Sequence, residues 1–451
     1  MQKNFLSLAL LVALALPAFT IAAGSLSLDE AIRHALNHNP ELRAADRQAQ
    51  AADARADAAK GAFLPQIGVR YLVRRSDNPL DAFADKLNTR TVTAADLGPA
   101  AINEPGVSTV HATQLSVELP LYTGGRLVAG VREAGATAQA TRLGYEHRQQ
   151  VTAYNTLQAY RATQAAATAL TIANDAVEAA REHAETTARL ARQGRIVASD
   201  RMTAELNLAS VQSLREQAAH RQRLATEELR LVTGLAADAE LLLPPWETQT
   251  TPVAMPAAAL SEQRALTTRK DLKANEAQLN ANRARIGAAR AAFQPQVGLI
   301  AADSWYDDSA ALSNKSQSIM GVVSLNLFNG GRDWHGLTAA QRDAEQTELR
   351  LEGMQQAVRA EVRAAASRLS EATARRRIAA QSVDKARENV RLVKLRYGEG
   401  RTILIDLLMA ERVLVEARNE ELAAGLGQEL SAAQLQLAEG GLPLPGDAPG
   451  H

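Results

Sequence analysis

The sequence predicts a mainly α-helical fold with transmembrane β-structure: a tandem-repeat protomer giving four β-strands and long coiled-coil helices. Three observations point there. The chain is internally duplicated. Each copy holds a long proline-free stretch with apolar residues at helical spacing, and each holds two short segments in which apolar and polar residues alternate.

The duplication organises the rest. Ala62-Phe63-Leu64-Pro65-Gln66-Ile67-Gly68 recurs as Ala292-Phe293-Gln294-Pro295-Gln296-Val297-Gly298, and Leu36, Glu41, Leu42 and Ala44 keep their spacing in Leu266, Asp271, Leu272 and Ala274. Leu121-Tyr122-Thr123-Gly124-Gly125-Arg126 recurs as Leu327-Phe328-Asn329-Gly330-Gly331-Arg332. Gly194-Arg195, Asp200 and Ala204-Glu205 then match Gly400-Arg401, Asp406 and Ala410-Glu411 without a gap. The copies differ mainly after residue 75, where the first is longer. Each reads as helix, strand, loop, strand, very long helix, sharp turn, helix.

The helices follow from what is missing. Proline is absent from Thr123 to Leu243 and from Gln296 to Leu442, and glycine is absent between Gly144 and Gly194 and between Gly353 and Gly398. Val383, Ala386, Val390, Val393 and Tyr397 show the three- and four-residue apolar spacing. A helix from Arg126 to Arg192 would be roughly 100 Å long, too long for a compact core, so it must pair with other helices as a coiled coil.

The strands alternate. Ile67, Val69, Tyr71 and Val73 interleave with Gln66, Gly68, Arg70 and Arg74; Leu115, Val117 and Leu119 interleave with Gln114, Ser116 and Glu118. In the second copy Val297, Leu299 and Ala301 share a face, while Ile300 blurs the other. Ile319, Val323, Leu325 and Leu327 form the last apolar face, opposite Ser318, Ser324 and Asn326. Alternation over about nine residues suits a tilted strand crossing hydrocarbon, so these apolar side chains are expected to face membrane lipid. Soluble hairpins share the pattern; the export signal and the lack of another core argue against them. Four strands cannot close a barrel, which takes at least about eight, and open edges in lipid leave backbone groups unpaired. Strands must therefore be pooled between chains, and two, three or four copies satisfy that demand equally.

The N-terminus reads as a secretory signal over residues 1–23: Lys3, an apolar stretch from Phe5 to Leu16, and small residues at Ala22 and Ala23. Beyond it no run of about 18 apolar residues offers a transmembrane helix. Cysteine is absent, which excludes disulfides, thiolate metal sites and a lipid-bearing Cys. Fifty basic and fifty acidic residues cancel, arguing against nucleic acid as a partner. The expected layout is a first repeat at 24–240 (hairpin 63–122, long helices 126–235), a linker at 241–259, a second repeat at 260–440 (hairpin 293–328, long helices 332–438), and a Pro/Gly-rich tail at 441–451.

These residues resemble the TolC-type outer membrane efflux family over nearly the whole mature chain. The resemblance rests on Leu28-Asp29-Glu30-Ala31 with Asn39-Pro40-Glu41-Leu42, the Phe-x-Pro entries to the first strands, the Gly-Gly-Arg exits from the second, and Gly-Arg-x(4)-Asp at each helical turn. It implies a homotrimer with a twelve-stranded barrel, a helical tunnel reaching into the periplasm and an equatorial collar. It also implies two partners: a periplasmic adaptor (membrane fusion) protein, and an inner-membrane pump of the resistance-nodulation-division or ATP-driven kind. The turns at Gly194 and Gly400 would mark the periplasmic tip. There the resemblance makes Asp200, Asp406, Arg195 and Arg401 gate candidates, with Thr203 and Met409 at the constricting position, where family members can carry an acid. Gln193-Gly194 and Glu399-Gly400 would meet the adaptor. Asp200 and Asp406 also suit the starts of the returning helices, near the positive end of the dipole.

No other chemistry stands out. His34 and His38 lie one turn apart without a third ligand, and the sequence has no phosphate loop followed by Lys and no nucleophile elbow. No cofactor and no enzyme activity are expected. The leading expectation is a passive exit duct for an efflux system. The alternatives are the outer membrane channel of a type I protein secretion system and a periplasmic coiled coil without a pore.

Overall fold

The computed structural model describes residues 25–239, 241–246 and 258–446. The expected signal segment, most of the 241–259 linker and the end of the tail lie outside the described residues. The described residues fall into two compact units, one within 36–155, 258–378 and 427–446, the other within 25–35, 156–246 and 379–426. Each unit draws on both copies of the repeat, so the units cut across the duplication.

The first unit holds the sheet. β1 (Gln66–Ser76), β2 (Ser108–Tyr122), β3 (Gln296–Asp307) and β4 (Lys315–Ser324) pair antiparallel in sequence order, leaving β1 and β4 as edges. The register puts Ile67, Val117, Ala301 and Ile319 in one row, and Val69, Leu115, Asp303 and Gln317 in the row beside it. β2 is longer than the alternation from Gln114 to Leu119 suggests: it starts at Ser108, pairing regularly with β1, and runs through Pro120 by a register shift against β3. β4 ends at Ser324, so Leu325 and Leu327, read as strand residues from the sequence, lie just beyond it. The extra length after residue 75 forms a small insert that is partly helical and not merely loop.

The chain begins with α1 (Leu28–His38) and α2 (Pro40–Gly61), and the equivalent pair in the second copy is α7 (Ala258–Thr268) and α8 (Lys270–Arg290). The sequence suggested one helix in each place. Pro40 lacks an N–H and drives residue 39 out of the helical region; Asn39 takes an extended conformation, and its Oδ1 accepts from the N–H groups of Glu41 and Leu42 at 3.0 and 3.1 Å. The insert comprises α3 (Pro79–Asn88) and α4 (Pro99–Asn103). The long helices are α5 (Arg126–Arg192), α6 (Ala198–Thr233), α9 (Arg332–Gly398) and α10 (Leu404–Ala438).

Small side chains let the helices approach closely. In the first unit Ala265, Leu272, Val358, Val362, Leu369 and Leu435 form one buried cluster. Beside it the Arg269 guanidinium bonds Asp271 twice (3.0 and 2.7 Å), Glu361 (2.6 Å) and the Ala438 carbonyl (3.2 Å), tying the start of α8 to α9 and the end of α10. In the second unit Ala31, Ala159, Tyr160 and Leu229 are buried together, and the Tyr160 hydroxyl donates to the Leu26 carbonyl at 2.8 Å. The strand exit after β2 needs glycine: a Cβ on Gly124 would lie 2.5 Å from that of Gln294, and its φ is +63°.

Candidate functional site

Two places carry the candidate residues. The first is the turn that ends each long helix. Arg195 N–H donates to the Leu190 carbonyl (2.9 Å) and Gly194 N–H to that of Ala191 (3.0 Å); Arg401 and Gly400 repeat this with Arg396 (2.8 Å) and Tyr397 (3.0 Å). This paired bonding satisfies the last carbonyls of a helix around a left-handed residue. Gly194 and Gly400 supply that residue at φ +71° and +70°. Gln193, Arg195, Glu399 and Arg401 are exposed beside them.

Asp200 and Asp406 sit in the first turns of α6 and α10, where their charge faces the positive end of the dipole. The two differ in surroundings. Asp406 is exposed and accepts from the Thr402 hydroxyl at 2.5 Å. Asp200 is half-buried and lies within electrostatic reach of Tyr397 on α9, whose hydroxyl is pushed up in pKa first by burial and then by the Asp200 charge. Within the chain Arg401 pairs with Glu399 at 3.1 Å instead of Asp406. Thr203 is half-buried and bonds the Ser199 carbonyl of its own helix, while Met409 is 53% exposed. Val197, Met202, Ile403 and Ile405 are also exposed in the turn segments, so apolar side chains share the tip with charged ones.

Sequence reasoning missed two partners here. Tyr397 was visible only as an apolar position in a helical series, although its hydroxyl is what distinguishes it. His183 on α5 was not singled out; its Nε2 meets Glu411 of α10 at 2.8 Å, next to the buried Ala184, Ala204, Leu404 and Leu408. His34, considered with His38, has its Nδ1 against the Thr233 carbonyl at 2.9 Å.

The second place is the sheet. The register puts Ile67, Val69, Tyr71, Leu115, Val117, Leu119, Val297, Leu299 and Val323 on one face; Leu325, past the end of β4, is 50% exposed. Ile67, Val69 and Val323 are more than 70% exposed in the single chain, an apolar surface that a soluble protein rarely displays. Toward the end remote from the long helices this face carries Tyr71 and Trp305 in one row, with the Lys315 ammonium 5.7 Å from the Trp305 ring. Aromatics in a row at the limit of an apolar band are what a membrane interface selects. The other face carries Gln66, Arg70, Arg74, Gln114, Ser116, Glu118, Ser304 and Ser318 along with Leu72, Ile300 and Met320, while Asp303, paired with Lys315 at 3.1 Å, and Gln317 interrupt the mainly apolar face.

A family model described as outer membrane efflux protein matches residues 31–235 and 262–441. The chain belongs to the outer membrane efflux protein family. The two matched segments coincide with the two copies of the duplication, and the family places the protein in the outer membrane. Among curated relatives, the solvent efflux pump outer membrane protein SrpC of Pseudomonas putida is 32% identical over 183 residues, covering 39% of this chain and 38% of that protein. The alkaline protease secretion protein AprF of Pseudomonas aeruginosa is 24% identical over 405 residues, covering 88% of this chain and 81% of the other. The Campylobacter jejuni CmeC outer membrane channel has the same fold, with a TM-score of 0.80 at 17% identity over 99% of this chain and 96% of that one. Among the described residues no helix is long and apolar enough to cross a membrane.

Proposed function

We propose that three copies of this chain form the outer membrane exit duct of a tripartite efflux system, passing substrates handed over by an inner-membrane pump and a periplasmic adaptor. The observation that carries the reading is the four-stranded sheet with one apolar face and two open edges. Its apolar face fits lipid, its polar face fits water, and its edges demand neighbouring copies. Three copies give twelve strands, and the four long helices of each would form a twelve-membered wall.

At the tip, Asp200 with Tyr397, and Asp406 with Thr402, hold the starts of the returning helices. Arg195 and Arg401 stand beside the two turns, where a neighbouring chain's carboxylate would draw the coils together. Exposed Met409 and Ile405 add apolar narrowing, and Gln193-Gly194 and Glu399-Gly400 form the surface offered to the adaptor. Transport energy then comes from the pump, and the duct conducts passively. A second reading, export of proteins with an ATP-driven partner, is supported by the match to AprF along most of the chain. The shorter, stronger match to SrpC favours small solutes.

Detergent-extracted protein should have trimeric mass and conduct ions across a planar bilayer. A water-soluble monomer that does not conduct would overturn the reading. Restoring solute resistance or protease export in cells that lack their own duct separates the two cargoes.

A further inference from the structure

The insert between β1 and β2 leaves the sheet at the end remote from the long helices, and every side chain that anchors it lies on one face. Arg74 bonds Asp81 (3.2 Å) and Asp85; Ser76 donates to Asp81 (3.2 Å) and Ser108 to Asp85 (2.7 Å). Register puts Arg74, Ser76 and Ser108 on the same side as Gln66, Arg70 and Gln114, opposite the apolar band. Helix α3 therefore packs on the polar face, with Ala82 and Asp85 turned inward and buried. Farther along, the Arg90 guanidinium crosses to the far edge and donates to the Lys315 carbonyl at 3.0 Å. The outward side of α3 is an apolar stripe, Leu80 (78% exposed), Ala84 and Leu87 (54% exposed), at one-turn spacing.

On the trimeric duct proposed above, the polar face lines the lumen, and we infer that α3 is an outer lid: three copies meet at the barrel axis through their Leu80–Leu87 stripes and close the mouth. The mouth is narrow enough for three such helices to cover it at the rim, beyond the wall's inward side chains. Twelve strands about 4.8 Å apart and tilted about 40° close at a backbone radius of roughly 12 Å. Three helices about 10 Å across pack as a triad with an outer radius of about 11 Å. The second copies supply the occupant of each exposed stripe, and the Arg74–Asp85 pair sets how firmly the lid is held. The duct would then have a constriction at the cell surface independent of the tip.

The absence of cysteine allows a direct test. Gln114→Cys places a single thiol on the polar face, Leu115→Cys on the other, and both are exposed in intact cells to a bulky, membrane-impermeant maleimide–polyethylene glycol. Ser76 and Ser108 are register partners, so residues 77–107 can be replaced by an Asn-Gly turn. Gln114→Cys should label slowly with the insert and roughly tenfold or more faster without it, as expected when the open state is populated at about 10% or less. Equal rates would overturn the lid. Asp85→Ala, with the insert retained, should give an intermediate rate, and it carries the test if the shortened hairpin fails to reach the membrane; an unchanged rate there would overturn the anchoring role of Asp85. If Leu115→Cys labels in place of Gln114→Cys once the insert is gone, the assignment of faces is wrong, and the duct reading falls with it.

Discussion

Arg269 offers the sharpest energetic prediction. Its guanidinium is buried and grips Asp271 through two parallel bonds, a geometry that only arginine supplies. Arg269→Ala leaves the Asp271 carboxylate, 14% exposed and still bonded by the Leu272 N–H, without its cation, a loss of at most about 3–5 kcal/mol. The bond to Glu361 adds little, because that side chain is half exposed and water replaces its partner. For a unit of this size the loss lowers the melting temperature by roughly 5–15 °C. The assay is thermal unfolding of the detergent-extracted protein followed by circular dichroism, at fixed protein and detergent concentration. Arg269→Met with Asp271→Asn should recover most of the loss, since the buried charge is then gone. The pH arm has a definite sign. Burial opposes ionisation of Asp271, but the hydrogen bonds and charge of Arg269 outweigh it and hold the carboxyl below its usual range. A carboxylate with a lowered folded pKa stabilises above its unfolded value of about 3.9, and that contribution fades as pH falls through the folded value. The gap between the protein and Arg269→Ala should thus be full at neutral pH and shrink below about pH 4. A loss under about 1 kcal/mol, or a double variant no better than the single one, would refute the reasoning.

Other outcomes follow from the same geometry. Gly400→Ala meets no atom within 4 Å, so its cost is conformational alone, about 1–2 kcal/mol; Gly400→Asn should cost less, and a ranking by melting temperature checks this. Val69→Arg on the apolar face should lower folding yield into lipid vesicles by the equivalent of about 2–4 kcal/mol, whereas Gln114→Arg on the polar face should fold normally. Asp406→Ala should raise resting conductance in planar bilayers. Tyr397→Phe and Asp200→Asn should raise it also, and unchanged values would remove these groups from the gate.

Much of the architecture was legible because it depends on periodicity and on absences. The course of α5 follows from the absence of proline and its end from Gly194, after a glycine-free run from residue 145 to 193, and β1 follows from the alternation of Ile67, Val69, Tyr71 and Val73. What the sequence hid depends on contacts between distant segments. β2 passes through Pro120 because its register shifts there, which no alternation rule detects. Arg269 takes the place of Asn39 at the break between paired helices without any proline beside it, and only its partners on α9 and α10 explain why. Tyr397 and His183 acquire meaning from residues on other helices. The insert looked like mere extra length, since its helix is fixed by Arg74 and Ser108 across the hairpin.

The open edges of the sheet also bear on inheritance. A chain with two unpaired edges completes its fold only beside its neighbours, so a ring is as sound as its weakest member. If a cell makes equal amounts of intact chain and a variant with a damaged β1 edge, only about one ring in eight would be free of the variant. Such an allele would act dominantly, silencing most of the ducts built from the normal copy.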